Sequence, residues 1–199
     1  MRTTFEICNM ALRHIGMRKI DAIDDTDPSA VACADFFEAC RDDVLREHAW
    51  PFALVQQPLA QFAGDVPLGW NAAYDHPASN VAAIWYVFNQ ATATDKENQN
   101  FEVLYDQATN KKIIVSNLDA AYVEYTYIVT DTLVWDAKFD MAMTWRLAAE
   151  ICPVLTGDDE KALKLMQVYN AYISEAKRIS ASEKLRKPNQ TSGYVKARG

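Results

Sequence analysis

The side chains of this 199-residue chain best suited to chemistry are three histidines, four cysteines and a few clustered carboxylates. His14, His48 and His76 are the natural metal ligands or general bases. They stand far apart in the sequence, two on helical stretches and one in a loop, so ligation would require the fold to bring them together. Cys8, Cys33, Cys40 and Cys152 fall inside helical patterns without the C-x-x-C spacing of a zinc or redox site, which predicts buried free thiols. Asp24, Asp25 and Asp27, and again Asp158, Asp159 and Glu160, gather at expected helix starts, where the helix dipole accounts for them without catalysis. Glu47 and Glu150 are the acids a glycosidase would use, but neither has an evident carboxylate partner. The six glycines are scattered, with neither a G-x-G-x-x-G nor a Walker phosphate loop. These residues predict no enzyme, no cofactor and no metal.

Charge points elsewhere. The net charge is −7, yet Lys177 to Gly199 holds seven Lys or Arg residues against the single acid Glu183. The body is therefore strongly acidic and repels nucleic acid, while the tail suits phosphate, an acidic protein or nothing but water. Lys184, Arg186, Lys187, Lys196 and Arg198 flank a polar stretch around the isolated aromatic Tyr194. Pro188 opens that stretch and Val195 stands beside the tyrosine. Such a segment is expected to be disordered alone and to order on a partner.

The elements that would position these groups follow from periodicity. Ile7, Cys8, Ala11, Leu12 and Ile15 recur at helical spacing, which predicts a helix over about 4–17 with Thr4 as cap and Gly16 as stop. A second helix, about 28–49, begins at Pro28 and carries one apolar stripe through Ala30, Cys33, Phe37, Cys40, Val44 and Leu45, until Pro51 ends it. The middle, about 66–130, is punctuated by Gly and Pro. Val81–Phe88, Phe101–Tyr105, Lys112–Val115 and Tyr122–Val129 read as three or four antiparallel strands. Helical periodicity returns over about 137–156 and 158–186, broken at Gly157, and the short connection predicts antiparallel neighbours. The expected class is mainly α: a bundle of four principal helices with a small antiparallel β insertion and an extended C-terminal tail. Residues 1–186 are expected to form a single domain and 187–199 a flexible arm. No stretch reaches the ~18 apolar residues of a membrane span, and the N-terminus lacks a signal peptide's apolar run, which predicts a soluble, intracellular protein.

The order of these segments resembles the head-to-tail adaptor family of short-tailed bacteriophages (connector, tail tubular protein A-like, or head completion proteins). Cys8, Asn9, Ala11, Leu12 and Gly16, with the acidic turn at Asp24 and Asp25, match its opening helix. Arg41, Val44, Leu45, His48, Trp50, Pro51, Phe52 and Ala53 match its signature of a helix stopped at an aromatic–proline corner. Trp70, Tyr74 and Pro77 resemble its lead into the first strand, with His76 in place of an apolar residue. Leu147-Ala148-Ala149-Glu150, Leu155-Thr156-Gly157 and Tyr169 through Ala176 resemble its returning helices. The likeness spans Ile7 to Ala176 at dispersed positions.

The resemblance implies a structural virion protein at the head–tail interface, assembled in the host cytoplasm. It would form a ring homo-oligomer, twelve subunits in this family, beneath the portal protein. That ring would extend the channel, let genomic DNA pass without specific binding during ejection, and offer the surface on which the tail nozzle or tail tubular protein assembles. No cofactor and no membrane are implied. Arg41, Leu45, His48, Trp50, Pro51 and Phe52 would be its structural signature; from their residue types alone, Trp50 and Phe52 are expected to seal the core, with anchoring of a partner as the alternative. Lys187, Pro188, Tyr194, Val195, Lys196 and Arg198 would belong to an arm that docks on the portal, with Tyr194 its apolar anchor. The competing readings are a tail-associated cell-wall hydrolase using Glu47 or Glu150, and a DNA-binding packaging factor using the basic tail. Within the structural class the rival is a connector of long-tailed phages.

Overall fold

The structure is a computed structural model that describes residues 2–23, 26–77 and 79–184. Among the described residues it contains four α-helices and two three-stranded antiparallel sheets, so the fold is a mixture of α and β. Contacts divide the described residues into two compact units: those of 2–40 with those of 137–184, and those of 41–136. The acidic pair Asp24 and Asp25 and the arm residues Lys187, Pro188, Tyr194, Val195, Lys196 and Arg198 lie outside the described residues.

The helical unit holds α1 (Thr4–Ile15), most of α2 (Pro28–Glu47), α3 (Ala137–Thr156) and α4 (Asp159–Lys184). α1 starts at Thr4, where periodicity placed it, but its cap is Thr3 rather than Thr4. The Thr3 hydroxyl accepts from the Glu6 N–H at 3.2 Å, and the Glu6 carboxylate accepts from the Thr3 N–H at 2.9 Å. Gly16 ends the helix in the left-handed conformation, φ 83°, which a side chain would strain. Beyond it, Asn9 fixes the outgoing chain: its side-chain oxygen accepts from the Ile20 N–H at 2.8 Å. Asp27 opens α2, its carboxylate accepting from the Ser29 N–H at 2.8 Å and its carbonyl from the Val31 N–H at 3.0 Å.

α3 packs on both α1 and α4. Ile7, Leu12, Phe139, Met143, Leu147 and Ile151 are fully buried, while Leu165, Tyr169, Ile173 and Ala176 form the buried seam of α4 at spacings of three and four. Lys161, in the first turns of α4, donates to the Ile15 carbonyl at 2.7 Å and so satisfies one open carbonyl at the end of α1. Gly157, φ 67°, makes the turn from α3 to α4.

The second unit is built from β1 (Leu54–Pro58), β2 (Ala72–Asp75), β3 (Val81–Phe88), β4 (Phe101–Asp106), β5 (Lys111–Ser116) and β6 (Tyr122–Tyr127). They pair as β1-β6-β3 and β2-β5-β4, all antiparallel. Sequence patterns pointed to three or four strands, and the two extra ones have plain causes. β1 follows directly on the Pro51 turn and is half polar, with Gln56 and Gln57 before its closing proline. β2 is only four residues long and has alanine where a β-branched residue would have signalled it.

The sheets share an apolar cluster to which one contributes Val87, Val123 and Tyr125 and the other Ala72, Tyr74 and Ile114. A second cluster, Phe62, Ala73, Ile113 and Val115 with Trp70 and Leu104 against it, covers the opposite face of the β2-β5-β4 sheet. The β4–β5 hairpin turns where the polar run 106–110 suggested. Asp106 accepts from the Thr109 N–H at 2.7 Å, and Asn110 takes the positive φ of 58°. That bonding to Thr109 holds the Asp106 carboxyl below the usual range.

Candidate functional site: the Trp50 corner and a buried carboxylate

The three histidines occupy unrelated environments. His14, on α1, stacks on Trp145 of α3 with centroids 3.6 Å apart, and its Nε2 is covered without a hydrogen-bond partner among the described residues. Burial pushes its pKa below the ordinary imidazole value. His48 meets Trp50 edge-on at 5.0 Å. His76 lies 2.8 Å through Nδ1 from the Pro77 carbonyl. Among the described residues no group of three or more His, Cys, Asp or Glu could hold a metal ion.

The four cysteines are free and buried. The neighbouring Cys33 of α2, together with burial, holds the Cys8 thiol of α1 above the ordinary thiol range. Both sulfurs are fully covered, which makes them core atoms. Glu150 pairs with Arg146 one turn earlier at 2.7 Å, and the Arg146 guanidinium lies 5.9 Å from the Tyr169 ring centre. This is the ordinary stabilisation of a helix face.

The corner at the end of α2 is the most organised of the sequence-derived features. Pro51 forces the preceding residue out of helical geometry, and Trp50 adopts φ −68°, ψ 124°. The indole then turns back on the helix it ends. Its Nε1 donates to the Val44 carbonyl at 2.8 Å, which satisfies the N–H of a buried indole. Trp50 is 1% exposed, Val44 and Leu45 are fully buried, and His48 is 9% exposed. The Phe52 ring, half-buried, lies 6.4 Å from that of Trp50. Ala53 closes a 3-10 turn by donating to the Trp50 carbonyl at 2.9 Å, from which β1 departs. Two arginines of the same helix frame the corner. Arg41, itself buried, bonds Asp42 at 2.8 Å, and Arg46 donates to the Ala82 carbonyl of β3 at 3.1 Å. The arrangement locks a helix end to a sheet and gives it rigidity; His48, edge-on to Trp50, is the imidazole it holds.

A second polar centre escaped the sequence reading. Glu124, in the middle of β6, is 3% exposed. It faces Gln56 of β1 on one side and Tyr86 of β3 on the other in register. One carboxylate oxygen accepts from both the Gln56 amide and the Lys96 ammonium. Lys96 comes from the polar segment between β3 and β4, and its Nζ lies 5.0 Å from the Tyr86 ring centre and 5.6 Å from that of Phe88. Burial, the nearby Glu97 and Glu124 charges and a bond to Glu97 raise the Tyr86 phenol above its usual range. A buried carboxylate without such partners would cost several kcal/mol. The only trace of this centre in the sequence is one acid inside an otherwise aromatic and β-branched strand, Tyr122-Val123-Glu124-Tyr125-Thr126-Tyr127. Its partner sits 28 residues away in a loop without periodicity.

No helix among the described residues is long and apolar enough to cross a membrane. No protein-family model matches the chain, and no curated protein matches it.

Proposed function

We propose that this chain is a structural virion protein, a head-to-tail adaptor of a short-tailed bacteriophage. In this reading the helices are the frame, the fold is mainly α in plan, and the sheets are an insertion between its second and third long helices. The protein forms a ring, with twelve subunits as in the family it resembles. The ring sits beneath the portal, extends the DNA channel and carries the tail nozzle or tail tubular protein. It works at the head–tail interface of the virion after assembly in the host cytoplasm, without a cofactor or a membrane.

The observation that carries the reading is the Trp50 corner: α2 ends on an indole-capped aromatic–proline turn that hands the chain to the β strands before α3 and α4 return. Two physical arguments support it. An acidic body presents a like-charged wall along which DNA passes without sticking. A basic C-terminal segment of modest affinity, repeated around a ring, holds firmly because each later contact is intramolecular.

The test is to mix purified protein with the portal ring of its phage, with and without residues 187–199, and to follow co-sedimentation and particle symmetry by electron microscopy. A second ring beneath the portal that forms with the full chain and fails with the truncated one is the expected result. A full-length chain that ignores the portal overturns the proposal. Tail-dependent, steeply salt-sensitive DNA binding would then favour a packaging factor, and turnover of cell-wall material a hydrolase.

A further inference from the structure

Lys96 reaches its place from a segment poorly equipped to hold itself down. Residues 89–100 run Asn-Gln-Ala-Thr-Ala-Thr-Asp-Lys-Glu-Asn-Gln-Asn, with no apolar side chain larger than alanine. Gln90, Ala91, Ala93, Thr94, Asp95 and Glu97 are exposed. The local bonds close the segment on itself: the Asn89 side chain accepts from the Thr92 N–H at 3.0 Å, and the Thr92 hydroxyl accepts from the Asn89 N–H at 2.9 Å. Its ends are tied down, Asn89 donating through Nδ2 to the Asp119 carbonyl at 3.4 Å and the Asn100 carbonyl accepting from the Ser116 hydroxyl at 3.3 Å; from its middle it places the lysine against the sheet, its side chain 26% exposed while that of Glu124 is 4% exposed.

The lysine's surroundings are those of a cation receptor. A buried carboxylate forms the floor, a neutral amide steadies it, and two ring faces form the walls. Phe88 is in turn stacked on Tyr122 with centroids 6.0 Å apart, which fixes one wall. Aromatic faces attract cations through their quadrupole, and desolvation strengthens the attraction. A carboxylate fixed in a poorly hydrated site adds charge and direction.

We propose that Glu124, Tyr86, Phe88 and Gln56 form an ammonium-binding cage whose resident occupant is Lys96, so that segment 89–100 is a plug whose middle is seated chiefly by that side chain. The ligand class is a primary alkylammonium, the chemistry of a lysine side chain. Because Lys96 is tethered in place, its effective concentration keeps the cage filled in the isolated chain, and an external ammonium gains entry when the plug is withdrawn.

The experiment empties the cage and refills it. In Lys96→Ala, amide hydrogen exchange of residues 89–100 rises at least about tenfold while that of β5 is unchanged, as for local opening of one segment. Added n-butylammonium then restores protection saturably. Neither n-butanol nor the double variant Lys96→Ala/Glu124→Gln with n-butylammonium does so. Lys96→Met keeps the stem without the charge and supplies the exchange readout where the alanine variant does not fold. Unchanged exchange in residues 89–100 overturns the proposal. So does restoration by n-butanol, which would mean filling of an apolar hole, and so does restoration that persists in the double variant or is absent with n-butylammonium.

Discussion

At the scale of single residues, Trp50 combines two tasks that are separable by mutation. Trp50→Phe keeps most of the buried ring but leaves the Val44 carbonyl without its indole donor, which costs about 1–3 kcal/mol. Trp50→Ala adds a cavity and costs about 3–5 kcal/mol. Urea midpoints for the two variants should fall in that order, and equal midpoints would show that the 2.8 Å bond contributes nothing. His14 makes stability depend on pH. Burial against Trp145 disfavours the imidazolium, so the folded chain takes up this proton at a lower pH than the unfolded chain, which does so near ~6.5. The contribution is complete above that value and is lost as pH falls below it, because the unfolded state then binds more protons. Unfolding midpoints measured from pH 7.5 down to 5 should decline in the wild type and decline less in His14→Phe, which keeps the stacked ring.

At the scale of elements, the turn between α3 and α4 isolates one backbone effect. A Cβ at Gly157 would meet nothing within 4 Å, so Gly157→Ala carries only the strain of a left-handed φ, about 1 kcal/mol. Gly157→Asn, which tolerates that φ, should cost less in thermal unfolding; the reverse order would place the cost in packing. The same turn shows what was legible in advance. Four helices stand where apolar spacing located them, because each buries one stripe against neighbours, and α1, α2 and α3 stop at or just before a residue with a steric reason to stop: Gly16, Pro51 and Gly157. β3 to β6 also follow their patterns. β1 and β2 escaped because their burial comes from partners distant in sequence: Leu54 lies opposite Thr126 and Ala73 opposite Val115. No local periodicity encodes such a pairing. The Glu124 centre was hidden for the same reason. A lysine in a polar loop reads as solvated until the strand that receives it is known.

At the scale of the whole molecule, the adaptor reading predicts that the isolated protein is a monomer by light scattering, since an arm of modest affinity needs a portal ring to gather its copies. A stable ring formed without portal would count against that mechanism of recruitment. The chain order has a consequence of another kind. The sheet-bearing unit is continuous, residues 41–136, whereas the helical unit is split, with α1 made first and its packing partner α3 made more than a hundred residues later. During synthesis at ~5–20 residues per second, α1 therefore waits several seconds with Ile7, Leu12 and Ile15 uncovered while the strands emerge and pair. Ribosome-bound chains long enough for residue 136, but not α3, to have cleared the exit tunnel should already hold protected strands beside an exchanging α1, and the helical unit should close only once α3 has left the tunnel.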